Sequence, residues 1–225
     1  KAPATPGEKG GLMRRYGIFD MDGTLLDSMF VWDNAARDTL ARHGIAIPEG
    51  VRDAMRPMSL RQAAEYLNGR FPMGKTTEET MAEINQVVRE AYVSKVQLKP
   101  TVAEALARFS REGMRMCVAT ATDEEMVEIA LTRLGIRRYF AFILTSTGFG
   151  TGKDRPDIFL EAVRRLGAEK PGDVVVFEDA LHAIQSAKAA GCYVCGVEEP
   201  SSAAAKDEIV ALCDQYVKHL GDFVE

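Results

Sequence analysis

Hydrophobic residues along the chain occur in two textures. Short apolar runs without polar alternation fall at Tyr16–Phe19, Met114–Ala119, Ala141–Thr145, Val174–Phe177 and Tyr193–Val197. Four of the five are rich in β-branched or aromatic residues, as parallel strands covered on both faces should be. Met114–Ala119 carries the weakest signal. Between the runs lie segments with helical spacing: Val102–Glu112, Glu124–Leu134, Pro156–Leu166 and Leu181–Ala190. Each is followed by a glycine, Gly113, Gly135, Gly167 or Gly191, which suits a left-handed helix C-cap. Alternating strands and helices predict an open, mostly parallel sheet.

Between residues 28 and 98 the rhythm changes to helices alone, at Trp32–His43, Val51–Met55, Leu60–Phe71 and Thr77–Val96. Glu78 and Glu79 suit the positive end of the last of these, and Pro100 marks the return to the sheet. The fold class read from this pattern is α/β, a Rossmann-like parallel core interrupted by an all-helical cap. Residues 14–27 with 99–225 are expected to form the core and 28–98 the cap. Residues 1–13, polar and rich in Gly and Pro, are expected to be a flexible tail. Ligands of open α/β sheets bind beyond the carboxyl ends of the strands. The insert leaves the sheet at that end, so a helical lid over a site is expected, hinged near Leu26–Ser28 and Lys99–Thr101.

Composition narrows the partners. The chain has 225 residues, 46% hydrophobic and 27% charged, which gives enough apolar material for a core. Lys plus Arg number 28 against 33 Asp plus Glu, a formal charge of −5. That mild acidity points away from nucleic acid and from anionic membranes, which require clustered cations. No apolar stretch is long enough for a signal peptide or membrane helix. Cys192 and Cys195 form a C-x-x-C spacing, but no second Cys or His pair follows at zinc spacing, so they read as core. Free thiols fit a reducing cytosol; a cytoplasmic monomer acting on a small molecule is expected.

The strand ends carry the chemistry. The first run is followed by Asp20, Asp22 and Thr24 in FDMDGTLLD; the second ends in VATAT with Thr120 and Thr122. Lys153 follows the Gly-rich stretch after the third, and the fourth ends in FED with Glu178 and Asp179. Taken singly, these residues have ordinary explanations in turns, helix caps and solvated surface. Together, acids, hydroxyls and a lysine at one sheet edge suit phosphoryl transfer. A carboxylate can attack phosphorus if a hard divalent cation and a lysine offset the charge repulsion. A second acid would protonate the leaving alkoxide and then activate water. Thr120 and backbone N–H groups near Gly23 could hold the phosphoryl oxygens.

DMDGT at Asp20–Thr24, with Thr120, Lys153 and Phe177–Asp179, resembles the four motifs of the haloacid dehalogenase-like hydrolases. The helical insert resembles the cap of the subgroup of phosphoglycolate phosphatases and β-phosphoglucomutases. The resemblance implies that Asp20 is the nucleophile and Asp22 the acid/base. It implies Mg²⁺ bound by Asp20, the Asp22 carbonyl and Asp179, with Glu178 beside them, and phosphate held by Gly23, Thr120, Ala121 and Lys153. Trp32, Arg56, Ser59 and Arg61 are the cap candidates for substrate contact.

A Mg²⁺-dependent phosphatase of small phosphorylated metabolites such as sugar phosphates is therefore expected. The alternative is a β-phosphoglucomutase-like mutase, but Trp32 stands where the mutases carry a cap histidine. A non-catalytic phosphoacceptor module would lack both the D-x-D spacing and the insert. Ala180 and Ala183 depart from the family's usual Ser and Gly without removing a charge, and His182 is expected on the helix surface.

Overall fold

A computed structural model describes residues 14–55, 58 and 60–224; the expected tail and the cap candidates Arg56 and Ser59 lie outside the described residues. The first segment runs β1 (Tyr16–Phe19), β2 (Leu26–Asp27), α1 (Met29–Arg42), α2 (Val51–Met55), α3 (Leu60–Arg70), α4 (Thr77–Ser94) and β3 (Gln97–Leu98). It continues with α5 (Val102–Arg111), β4 (Arg115–Thr120), α6 (Glu124–Arg133), β5 (Phe140–Thr145), α7 (Ser146–Phe149) and α8 (Asp157–Leu166). The last elements are β6 (Val174–Glu178), α9 (Leu181–Ala189), β7 (Tyr193–Val197), α10 (Lys206–Leu212) and β8 (Gln215–Val217).

Six strands form one sheet in the order β5-β4-β1-β6-β7-β8, every pair parallel. The sheet has one strand more than the five apolar runs, because β8 is three residues long and lies at the edge. The sequence also gave no sign of the short antiparallel ribbon that pairs β2 with β3, Leu26 opposite Leu98 and Asp27 opposite Gln97. This ribbon brackets the four inserted helices, α1 to α4.

The continuous apolar runs sort by parity. Phe19, Met116, Val118, Val175, Phe177 and Cys195 join one cluster, whereas Ile18, Cys117, Ala119, Val174, Val176 and Val194 join another on the opposite face. Strand side chains alternate by two, so burial on both faces needs apolar residues at every position. Phe19 and Phe177 stack at 4.6 Å between centroids across the middle of the sheet. Cys192 and Cys195 belong to opposite clusters, and all four cysteines are free. Burial pushes the Cys192 thiol up to about 12, so both cysteines pack as core residues rather than reactive thiolates.

Helix ends lie within a few residues of the pattern. The four predicted cap glycines all adopt positive φ, from 74° at Gly135 to 85° at Gly113. The start of α4 is fixed by a capping box: Thr76 Oγ1 accepts from the Glu79 N–H, and the Glu79 carboxylate accepts from the Thr76 N–H. Among the described residues no helix is long and apolar enough to cross a membrane.

Candidate active site

The site begins where β1 ends. Asp20 extends the strand by one residue, its N–H donating to Phe177 O at 2.9 Å. Met21 then points into the core, fully buried, so Asp20 and Asp22 are left on the other side. Packing thus explains the D-x-D spacing: the intervening residue anchors the loop.

At Asp22 the chain turns through Gly23, φ +87°, where a Cβ would lie 2.7 Å from Asp179 Oδ2. Glycine is required here because the carboxylate comes this close. The Gly23 N–H donates to Leu26 O at 2.9 Å. Its carbonyl accepts from Lys99 Nζ at 2.6 Å, and the same ammonium reaches Glu198 O and Glu199 Oε2, both at 2.7 Å.

Lys153, Asp20, Glu178 and Asp179 are all buried at the carboxyl edge. Lys153 Nζ donates to Asp20 Oδ1 at 2.5 Å and also pairs with Glu178 Oε2. Glu178 Oε1 accepts from the N–H groups of Asp179 and Ala180, each at 3.2 Å. Asp179 Oδ1 accepts from Thr24 Oγ1 at 3.0 Å. Ligand-capable oxygens of Asp20, Glu178 and Asp179 lie within 4.8 Å of one another.

Two carboxylates therefore share one ammonium away from water, with a third beside them. Burial and the neighbouring Glu178 hold Asp20 well above the ordinary carboxylate range despite Lys153, and the same two causes push Asp179 up to about 7. An arrangement so short of positive charge suits a hard divalent cation with oxygen ligands.

Asp22 is held separately. Its Oδ1 accepts from Ser28 Oγ and from the Tyr92 hydroxyl, both at 2.5 Å, and its Oδ2 from Thr122 Oγ1 at 2.6 Å. Tyr92 is fully buried and belongs to α4, so an inserted helix touches the carboxylate directly. Thr120 Oγ1 accepts from the Thr122 N–H at 3.1 Å, which leaves its own proton to donate elsewhere.

These residues open on a cavity of about 410 Å³, lined by Asp20, Asp22, Thr120, Ala121, Lys153, Glu178 and Asp179 from the sheet edge and by Trp32, Leu60 and Asn85 from the insert. Trp32 thus lies at the site, whereas the Arg61 guanidinium pairs with Glu78 at 3.1 Å on the exposed surface. His182 is exposed, as the sequence suggested, but it also lines this cavity. Ser28, Tyr92 and Lys99 were not found by sequence reasoning; Tyr92 lies 70 residues from the aspartate it touches.

A parallel α/β sheet with a buried acid–lysine cluster at its carboxyl edge, in a cavity also lined from α1, α3 and α4, defines an enzyme of the doubly wound class. Residues 18–191 match the family model of the haloacid dehalogenase-like hydrolases. The chain belongs to that family and is a hydrolase. It is 30% identical to the fructose-1-phosphate phosphatase YqaB of Escherichia coli over 80% of this chain and 95% of that protein. It is equally 30% identical to hexitol phosphatase B of E. coli, over 77% of this chain and 78% of the relative. The fold is shared with a candidate β-phosphoglucomutase of Thermotoga maritima, TM-score 0.80 at 23% identity, covering 92% of this chain and 95% of that one.

Proposed function

We propose that the chain is a Mg²⁺-dependent phosphatase that hydrolyses small phosphorylated metabolites, sugar phosphates among them, through an aspartyl-phosphate on Asp20. The observation that carries this reading is the buried cluster of Asp20, Lys153, Glu178 and Asp179 facing one cavity with Asp22. Relatives named as fructose-1-phosphate and hexitol phosphatases support it. Mg²⁺ held by Asp20, the Asp22 carbonyl and Asp179, with Glu178 beside them, would supply the positive charge that offsets repulsion between carboxylate and phosphate.

The protein's own groups do the rest. Lys153 fixes the Asp20 carboxylate and adds a second positive charge, and Thr120 donates to a phosphoryl oxygen. Asp20 attacks phosphorus; the bond to the alcohol breaks as Asp22 delivers its proton to the departing oxygen. Asp22 then takes a proton from water, which attacks phosphorus, frees Asp20 and releases phosphate. In this scheme residues 28–98 act as a cap over a core of residues 14–27 and 99–225. Water is the acceptor rather than a second sugar: Trp32 lines the cavity, and His43 is paired with Glu83 at 2.9 Å.

Phosphate release from a panel of phosphorylated metabolites tests the proposal. Turnover should need Mg²⁺ and vanish in Asp20→Asn, and Asp22→Asn should lower kcat by about 10² to 10⁴. Isomerisation of glucose 1-phosphate outpacing phosphate release would overturn it in favour of a mutase.

A further inference from the structure

We infer that the leaving alcohol of the substrate carries an apolar group, an alkyl chain or aromatic ring, which seats in a chamber between the inserted helices and the sheet edge. This inference rests on the phosphatase reading above and names its substrate class. A second cavity of about 460 Å³ adjoins the acid-lined one, within the size range of small-molecule sites. Met29, Trp32 and Leu60 line both cavities and so lie at their shared border. Asp179 also borders both, which places the chamber next to the acid cluster.

Away from that shared border the described wall is mostly apolar, with Met55, Met58 and Ile84 prominent, and Asp33 adds a carboxylate from α1. The room itself comes from small side chains, Ala35 and Ala36 of α1 and Ala63 of α3. The two serines on the wall already have acceptors: Ser201 Oγ donates to Glu199 Oε1 at 3.3 Å and Ser202 Oγ to Asp179 Oδ2 at 3.5 Å.

Hydroxyls placed against the methionine, alanine and Ile84 stretch of this wall would lose water without gaining partners there, which disfavours binding. An apolar group loses nothing and gains about fourfold in affinity per buried methylene. Methionine side chains adapt to varied shapes, and an indole face accepts an aromatic ring. Trp32, 43% exposed, has the free face such a ring would cover. The chamber therefore favours a leaving group less polar than those in the relatives' names.

The test is a binding series on the wild-type protein with Mg²⁺, using methyl-, butyl- and hexylphosphonate and a polyhydroxylated hexylphosphonate, followed by calorimetry. Phosphonates are not hydrolysed, so the result does not depend on turnover. Affinity should climb by about fourfold per carbon, and the hexyl compound should exceed its polyhydroxylated counterpart by more than about tenfold. A flat series, or a polyol that binds as tightly as the hexyl chain, would overturn the inference. In Ala36→Leu, which fills the chamber, the climb should stop at a shorter chain; an unchanged slope would count against it. Turnover judges the other reading. If no phosphomonoester is hydrolysed while the series still climbs, the phosphatase proposal falls and the chamber stands.

Discussion

Removal of the Lys153 ammonium would leave Asp20 and Glu178 buried with no positive charge from the protein. Breaking a buried pair from one side costs about 3–5 kcal/mol, so metal-free Lys153→Met should lose that much stability in urea unfolding. Added Mg²⁺ should restore part of it. Tyr92 acts more finely. Tyr92→Phe keeps the buried ring and removes one of three hydroxyls that orient Asp22. One hydrogen bond to a charged group is worth about 1.5–3 kcal/mol, so kcat should fall by at least about tenfold with KM unchanged; a change in KM alone would refute the positioning role. Residues of this kind divide by how they announce themselves. Asp20, Asp22, Thr120, Glu178 and Asp179 were legible as a group because they fall within three residues of the end of an apolar run, and Lys153 because it closes the Gly-rich stretch after one. Tyr92 and Lys99 were not, since a contact across 70 or more residues leaves no local pattern.

At the scale of elements, α4 matters beyond its length because it carries both Tyr92 and Asn85 to the site. Its start depends on the Thr76–Glu79 box. Thr76→Ala should lower stability by about 1 kcal/mol, read as a shift of the urea midpoint. The longer helices were readable because their period repeats several times, and the central strands because burial on both faces makes them continuous apolar runs. The elements that were missed are short: β2 and β3 have two residues each, β8 three, α7 four and α10 seven. Thr101 was expected only as the end of a hinge, without its left-handed backbone. Pro100 marked the boundary, but a β-branched residue at φ 66°, its hydroxyl accepting from the Gly221 N–H at 2.8 Å, is a choice made by tertiary contacts.

For the molecule as a whole, the acid cluster links stability to pH and to metal. Asp179 titrates higher in the fold, at about 7, than its ordinary 3.8. A raised acid favours the folded state when protonated, so this contribution is present at low pH and is lost as pH rises toward and through about 7. The metal-free protein should therefore melt at progressively lower temperature across that window. Mg²⁺ should raise Tm most at its alkaline end; a Tm indifferent to Mg²⁺ at every pH would contradict the assigned ligands. The β2–β3 ribbon has a different consequence. Because Leu26 faces Leu98, the chain enters and leaves the helical segment at one narrow neck. Two splices at that neck would exchange α1 to α4 while the β1 loop, Lys153 and the strand-end acids kept their sequence, so under the proposed function new leaving-group preferences would come without rebuilding the machinery beside them.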